Sequence, residues 1–217
     1  SFGKIQYIDA ILEINYNDLD HVYVAWPKRK KNQGCIQVLA RFCVLIATLI
    51  LENERPIRAT VIKSSRDPDD GSEGEPLTAT CQIDFTNDFV LHAEVGYTPS
   101  PTRQVLTIES DAQKEATMTD FVIPHPDRLA TYRLYEKAHI AGELTISEGE
   151  CLDVPMGVSQ NVELWREFHR LCNKVAKNET AEARRLSRAA IHTKLMLIAL
   201  NESYRTGTAV DILQYEE

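Results

Sequence analysis

The chain has 217 residues, of which 43% are hydrophobic and 26% charged, and its formal net charge is −8 at pH 7. This balance is ordinary for a globular protein, and the length fits one large domain or two small ones. The acidic balance argues against general nucleic-acid binding, because domains with that function are usually basic. The five cysteines are odd in number and show no CxxC spacing. They favour a reducing compartment, so we expect an intracellular, cytoplasmic protein.

The first quarter of the chain combines strand patterns with one long apolar run. Residues 4–16 and 21–26 predict two strands, which an Asn- and Asp-rich turn would join as a hairpin. Residues 34–51 repeat apolar side chains at helical spacing and predict a helix that is buried on most sides. Gln37 and Arg41 lie inside this run, and an arginine at that position disfavours a membrane span.

The middle of the chain predicts a sheet. Strand patterns occur at residues 57–64, 77–85, 89–97, 104–109 and 118–123. Residues 77–85 and 89–97 alternate most clearly and predict a hairpin with a tight turn between them. Alternation with one buried and one wet face is typical of an antiparallel sheet. Residues 118–123 are followed by two prolines and predict an edge strand.

The last third of the chain is predicted to be mainly helical. Residues 127–140 predict a helix, 144–147 a short strand, and 148–158 a linker. Two further helices are predicted, one after Ser159 and one over residues 181–203, and the short turn between them favours an antiparallel pair.

The predicted fold class is therefore α+β. An antiparallel β-sheet packs on a long buried helix, and a C-terminal antiparallel helical pair completes the fold. Residues 1–148 would hold the sheet and the buried helix, and residues 159–217 the helical pair, either in the same domain or as a small subdomain.

Cys35 and His92 form the first candidate site. Cys35 would open the predicted buried helix, where the helix N-terminus favours the thiolate. The strings Lys-Asn-Gln-Gly-Cys at 31–35 and His-Ala-Glu-Val-Gly-Tyr at 92–97 resemble fragments around the Cys and His of papain-like cysteine peptidases. That resemblance implies a thiol hydrolase with Cys35 as nucleophile, His92 as base and Gln33 helping to hold the oxyanion. The alternative is that Cys35 is simply a small residue at a helix start.

Two groups of cations form the binding candidates. The first is a basic run that could be read by an import receptor, which would allow nuclear entry, or by an anionic surface; the alternative is a solvated loop. It consists of Lys28, Arg29, Lys30 and Lys31. The second group lies on the helical pair, where Trp and Arg are common interface anchors; the alternative is that the pair packs on its own sheet. It consists of Trp165, Arg184, Arg185 and Arg188.

The familiar nucleotide motifs are absent from the sequence. It has no Gly-rich phosphate loop and no Gly-x-Ser-x-Gly elbow, and we expect neither a cofactor nor a metal site. These observations favour a non-enzymatic interaction or assembly protein, of an adaptor type or a viral structural type, that associates with protein partners and forms a homo-oligomer. The alternatives are the papain-like thiol hydrolase and a small-ligand carrier with the sheet curled around the long helix.

Overall fold

The computed structural model describes residues 2–15, 34–52, 54–66, 76–122, 130–140, 143–154 and 160–212. The described residues form one nine-stranded sheet and three α-helices. The strands are β1 (Ile5–Asn15), β2 (Pro56–Arg66), β3 (Pro76–Phe85), β4 (Val90–Thr98), β5 (Arg103–Ser110), β6 (Lys114–Thr119), β7 (Ala130–Ile140), β8 (Glu143–Val154) and β9 (Val210–Asp211). The helices are α1 (Arg41–Ile50), α2 (Gln160–Ala176) and α3 (Ala181–Thr206).

The sheet is mostly antiparallel. Its strand order is β8-β7-β6-β5-β1-β4-β3-β2-β9. The central strand β1 runs parallel to β4 and antiparallel to β5, and the remaining neighbours pair antiparallel. The predicted combination of helices with a mainly antiparallel sheet is therefore confirmed.

One face of the sheet is the apolar inner face. Strand alternation gives it every second residue of the central strands, and these residues share one hydrophobic core with buried residues of α1 and α3. Its members on β1, β4 and β3 are Ile8, Ala10, Leu12 and Ile14, then Leu91, Ala93 and Val95, then Ala79, Cys81, Ile83 and Phe85. The register places Ala10 opposite Ala93, so the apolar rows continue from strand to strand.

The predicted single helix over residues 34–51 has two parts. A π-helical turn, Ile36–Ala40, leads into α1, which is followed by Leu51. The side that faces the core carries Ile36, Leu39, Cys43, Val44 and Ala47. Arg41 and Leu45 lie on the opposite, exposed side, so the segment has a wet flank as well as a buried one.

Helix α3 crosses the core beside α1. Met196 and Leu200 are fully buried in the common core. The Ser203 hydroxyl accepts a hydrogen bond of 2.9 Å from the Val61 backbone N–H, next to a register shift in the pairing of β2 with β3. On this edge of β2 the pairing with β9 reaches only Ala59, so the helix satisfies a backbone donor that lies beyond the end of that pairing. The helix ends at Gly207, whose left-handed φ of 69° suits glycine.

The sequence pattern misassigns the segments around β6, β7 and β8. The predicted helix at 127–140 is wrong, because Ala130–Ile140 is a strand paired on both sides. The predicted linker at 148–158 is wrong up to residue 154, where β8 ends. The predicted edge strand at 118–123 is also wrong, because β6 lies between β5 and β7. Long-range strand pairing overrides the local helical spacing here.

The predicted hairpin of residues 4–16 with 21–26 involves a segment that lies outside the described residues. Within the described part of the chain, β4 and β5 pair with the two edges of β1.

Two leucines on the same helical segment test the buried side of this arrangement. We expect Leu39→Ala to lower the free energy of unfolding by about 2–5 kcal/mol, because Leu39 is 2% exposed and its loss leaves a cavity. We expect Leu45→Ala, at a position that is 37% exposed, to cost less than about 1 kcal/mol. Urea unfolding measures both changes. Equal costs for the two variants would contradict the buried and exposed sides described above.

Candidate functional site

The outer face of the sheet, opposite the core, carries a polar row across its central strands. Asp9 of β1 pairs in register with His92 of β4 and with Thr107 of β5. Gln82 of β3 continues the row beside His92. These four residues alternate with the buried residues of their strands, so their side chains lie on the face away from the helices.

Asp9 and His92 lie in contact at the centre of this row. His92 Nδ1 lies 3.4 Å from Asp9 Oδ1, and both side chains are only partly exposed. Burial raises the pKa of the Asp9 carboxyl above its ordinary value, while the hydrogen bond and charge of His92 lower it in part. Removal from water is the larger influence, so the carboxyl holds its proton more tightly than an exposed aspartic acid does.

Further acidic groups surround the pair. Burial raises the pKa of the Tyr7 hydroxyl, and the negative charges of Asp9, Glu109 and Glu94 raise it further. Glu94 also raises the pKa of Asp9, whereas Arg103 lowers it. The outer face is thus a partly desolvated polar surface on which carboxylates outnumber cations.

A carboxylate held against an imidazole can orient the ring and support its positive charge. The other ring nitrogen can then exchange a proton with a molecule on this face, which is the chemistry that histidine supplies near neutral pH. Within the described ranges, no group of three or more His, Cys, Asp and Glu side chains could hold a metal ion. Asp9 and His92 are therefore a candidate for proton transfer or for binding a polar group.

Cys35 and His92 are not brought together. Cys35 is fully buried in the core on the inner side of the sheet. His92 lies on the outer face, between the inward-facing Leu91 and Ala93. The sheet backbone separates the two side chains, so the described arrangement does not place His92 as a base for the Cys35 thiol. Gln33, the third residue of that prediction, lies outside the described residues.

The binding candidates are dispersed. The basic run of Lys28, Arg29, Lys30 and Lys31 lies outside the described residues and stays a prediction. Arg185 on α3 forms an ion pair with Glu52. Arg184 and Arg188 are exposed on the same helix, and Trp165 is exposed on α2.

Sequence reasoning missed the pairing of Asp9 with His92. The available signal was an acidic residue between Ile8 and Ala10 in a mostly apolar strand, together with a histidine on the polar side of another strand. The sequence could not predict the parallel pairing of β1 with β4, because the paired residues lie more than 80 positions apart along the chain.

No family model and no curated protein sequence matches the chain. Solved structures of oxidoreductases do match its fold. A 3-ketoreductase from Actinomadura kijaniata in complex with NADP and TDP-benzene is 12% identical, with a TM-score of 0.62 over 93% of this chain and 55% of that one. An oxidoreductase from Agrobacterium radiobacter, in complex with NAD⁺, L-tartaric acid and magnesium, is 15% identical, with a TM-score of 0.56 over 99% of this chain and 58% of that one.

A third similar structure is the UDP-N-acetylglucosamine 3-dehydrogenase from Acidithiobacillus ferrooxidans. It is 15% identical, with a TM-score of 0.55 over 94% of this chain and 56% of that one. The chain therefore spans just over half the length of the oxidoreductases whose fold it shares. At these identities the likeness establishes the fold.

The likeness corrects the functional prediction. The expected non-enzymatic interaction or assembly protein, of adaptor or viral structural type, is contradicted, because the structural neighbours are NAD(P)-dependent oxidoreductases. A structural or protein-binding role is wrong for the same reason. The alternatives of a thiol hydrolase and a small-ligand carrier are not supported by these neighbours either. In the part of the chain that the structure describes, no helix is long and apolar enough to cross a membrane.

The raised pKa of Asp9 makes a prediction about stability. An acid that binds its proton more tightly in the folded chain adds stability below its unfolded pKa and loses it as the pH rises through its folded pKa. We expect the difference in unfolding free energy, wild type minus Asp9→Asn, to fall as the pH rises above about 4, the ordinary aspartic acid pKa. Urea unfolding at a series of pH values measures this difference.

Asp88→Asn is the matched control for that series. Asp88 is exposed in the turn between β3 and β4, and its positive φ of 63° is one that asparagine also adopts. We expect its difference from wild type to lack the fall seen for Asp9→Asn. A rise with pH for Asp9→Asn would show that the partnership with His92, and not burial, dominates the Asp9 carboxyl.

Proposed function

We propose that the chain forms the sheet-bearing part of an NAD(P)-dependent oxidoreductase. The observation that carries this proposal is the extent of the likeness: 92–100% of the chain matches the fold of the oxidoreductases compared, and it occupies 52–59% of their length. A match that uses nearly every residue of the chain reflects the architecture of the whole sheet and not a common local motif. In this proposal the helical segment Ile36–Ile50 supports the inner face of the sheet from within.

The chemistry of the neighbours supports a substrate class. Two of them are named for reduction or oxidation at a 3-position, and a third holds L-tartaric acid. A 3-ketoreductase and a 3-dehydrogenase both interconvert a hydroxyl-bearing carbon and a ketone. We therefore propose a polar, hydroxylated substrate that undergoes this interconversion.

A nicotinamide cofactor supplies or takes up the hydride in such a reaction. The 217 residues contain no Gly-rich phosphate loop of the type that holds a dinucleotide. We therefore assign none of the described residues to the nucleotide and expect it to be held mainly by another polypeptide segment. The chain would contribute the rigid sheet against which the substrate lies.

The proposal is tested by titration with NAD⁺, NADP⁺ and NADPH. Two samples are compared: the 217-residue chain, and the complete product of the gene that encodes it. We expect the complete gene product to bind one of the dinucleotides at least about tenfold more tightly than the chain alone. We also expect it to oxidise NADPH when a keto sugar nucleotide is added, followed by the loss of NADPH absorbance.

Folding of both samples is checked by circular dichroism and by a single cooperative thermal transition. A folded gene product that binds none of the three dinucleotides would overturn the proposal. Dinucleotide binding without turnover of keto sugar nucleotides or hydroxy acids would leave the cofactor class standing and refute the substrate class.

A further inference from the structure

Ser187 lies in a short basic segment near the start of α3. Arg184 and Arg185 stand three and two residues before it, and Arg188 follows it directly. Ser187, Arg184 and Arg188 are exposed, and in the part of the chain that the structure describes their side chains form no hydrogen bond or ion pair. The segment therefore presents an accessible hydroxyl next to two guanidinium groups that are available to another molecule.

A serine preceded by arginines is a charge pattern that one class of enzyme recognises. Protein kinases select their substrates partly by charge, and basophilic serine kinases bind arginines on the N-terminal side of the serine with their own carboxylates. Arg184 can make such a contact directly. Arg185 can make it after leaving its ion pair with Glu52, which is exposed at the surface. Both arginines stand on the side of Ser187 that such a kinase reads.

The start of α3 can open to let a kinase bind this segment. A kinase reads its substrate as an extended chain, whereas Arg184 and Ser187 lie within one turn of each other in the helix. Thr180, the N-cap residue, has helical φ and ψ and makes no capping hydrogen bond with its side chain. The first backbone N–H groups of α3 therefore lack the usual side-chain cap, which favours fraying at this end.

The contacts of these first turns lie outside the core. The first buried residue of α3 is Ala189. Before it, Glu182 forms ion pairs with two residues of α2, and none of the described side chains of α2 is buried. Further along α3, Met196 and Leu200 have no exposed surface. Opening of the helix up to residue 188 thus breaks exposed ion pairs and leaves the core intact, which is the condition for local unfolding.

We propose that Ser187 is a phosphorylation site for a basophilic serine kinase. In this step the Ser187 Oγ attacks the γ-phosphorus of Mg-ATP. A bond forms between Oγ and that phosphorus, and the bond from the γ-phosphorus to the oxygen that bridges it to the β-phosphate breaks. ADP leaves with that electron pair, and a carboxylate of the kinase takes the hydroxyl proton.

The phosphate changes what this part of α3 can bind. It carries a charge of about −1.5 to −2 at pH 7. Arg184 lies one turn before Ser187, so it can form charge-assisted hydrogen bonds to the phosphate once the helix has closed. Because Arg185 is already paired with Glu52, the phosphate offsets most of the remaining positive charge, that of Arg184 and Arg188. Phosphorylation therefore turns a positive surface of α3 into a nearly neutral one.

Phosphorylation is measured on the folded 217-residue chain with a purified basophilic serine kinase and ATP labelled in the γ-phosphate. Cleavage after glutamate releases residues 183–202, in which mass spectrometry locates the phosphate. We expect labelling at Ser187, and we expect Ser187→Ala to lower the incorporation at least about tenfold. Ser64 is a control within the same chain, because it is also exposed but has one cation, Lys63, in the three residues before it. We expect it to stay unlabelled.

Arg184→Ala and Arg188→Ala are matched variants. Both arginines are exposed on the same helix, and alanine favours helix at either position. We expect Arg184→Ala to slow the initial rate of phosphorylation at least about tenfold, and Arg188→Ala to change it by less than about twofold, because the kinase reads the residues before the serine. Circular dichroism confirms that each variant is folded.

Hydrogen exchange of the unphosphorylated chain tests the opening of α3. We expect the backbone amides of residues 185–188 to exchange at least about tenfold faster than those of residues 197–200, which lie in the core. A peptide of residues 178–194 provides an unfolded substrate for the same kinase, so recognition of the arginines is measured separately from opening of the helix.

Four results would overturn the proposal. Labelling of the peptide without labelling of the chain would show that α3 stays closed to the kinase. Absence of label from both would show that the arginines are not recognised. Equal slowing by Arg184→Ala and Arg188→Ala would show that the position of the cations does not matter. Labelling that persists in Ser187→Ala would place the phosphate on another residue.

Discussion

The pairing of β1 on both of its edges is the constraint on which the rest of the structure depends. Its parallel neighbour β4 and its antiparallel neighbour β5 lie far along the chain, so the intervening residues must cross over one face of the sheet before β4 can form. The helical segment Ile36–Ile50 makes that crossing. Ile8, Ala10 and Leu12 have no exposed surface, because this crossing and α3 cover the face on which they lie.

The same constraint gives the two faces of the sheet different chemistry. The inner face is apolar, and at its edge the Ser203 hydroxyl satisfies the Val61 backbone N–H. The outer face remains partly hydrated, so it tolerates the contact between Asp9 and His92 together with several carboxylates. The side chains of Asp9 and His92 are 32% and 24% exposed, so water is only partly available there. The sheet thus has a dry side and an ionisable side in one layer.

Patterns within short stretches of the sequence predicted the helices and strands whose structure depends mainly on residues near them in the chain. The hairpin of β3 and β4 and the helix α3 follow directly from alternation, turn residues and apolar spacing. The strand β7 did not follow, because Tyr132 and Tyr135 fit a helical face as well as they fit a strand, and only pairing with β6 and β8 decides between the two. The separation of Cys35 from His92 could have been inferred from the sequence. Alternation puts His92 on the polar side of its strand, and a buried apolar helix packs on the other side.

Helix α2 shows most clearly what the spacing of apolar residues in a sequence cannot predict. The spacing of Trp165, Phe168 and Val175 establishes that the helix has an apolar face, but it cannot say what covers that face. Within the described residues, charge decides which face of α2 is turned toward α3, because Arg170 and Lys174 on the opposite face both form ion pairs with Glu182. Ion pairs at an exposed surface contribute little stability singly, whereas a network of several charges contributes more. Here Arg170 and Lys174 share Glu182, so the network joins α2 to α3 while Trp165 and Phe168 stay on the exposed side.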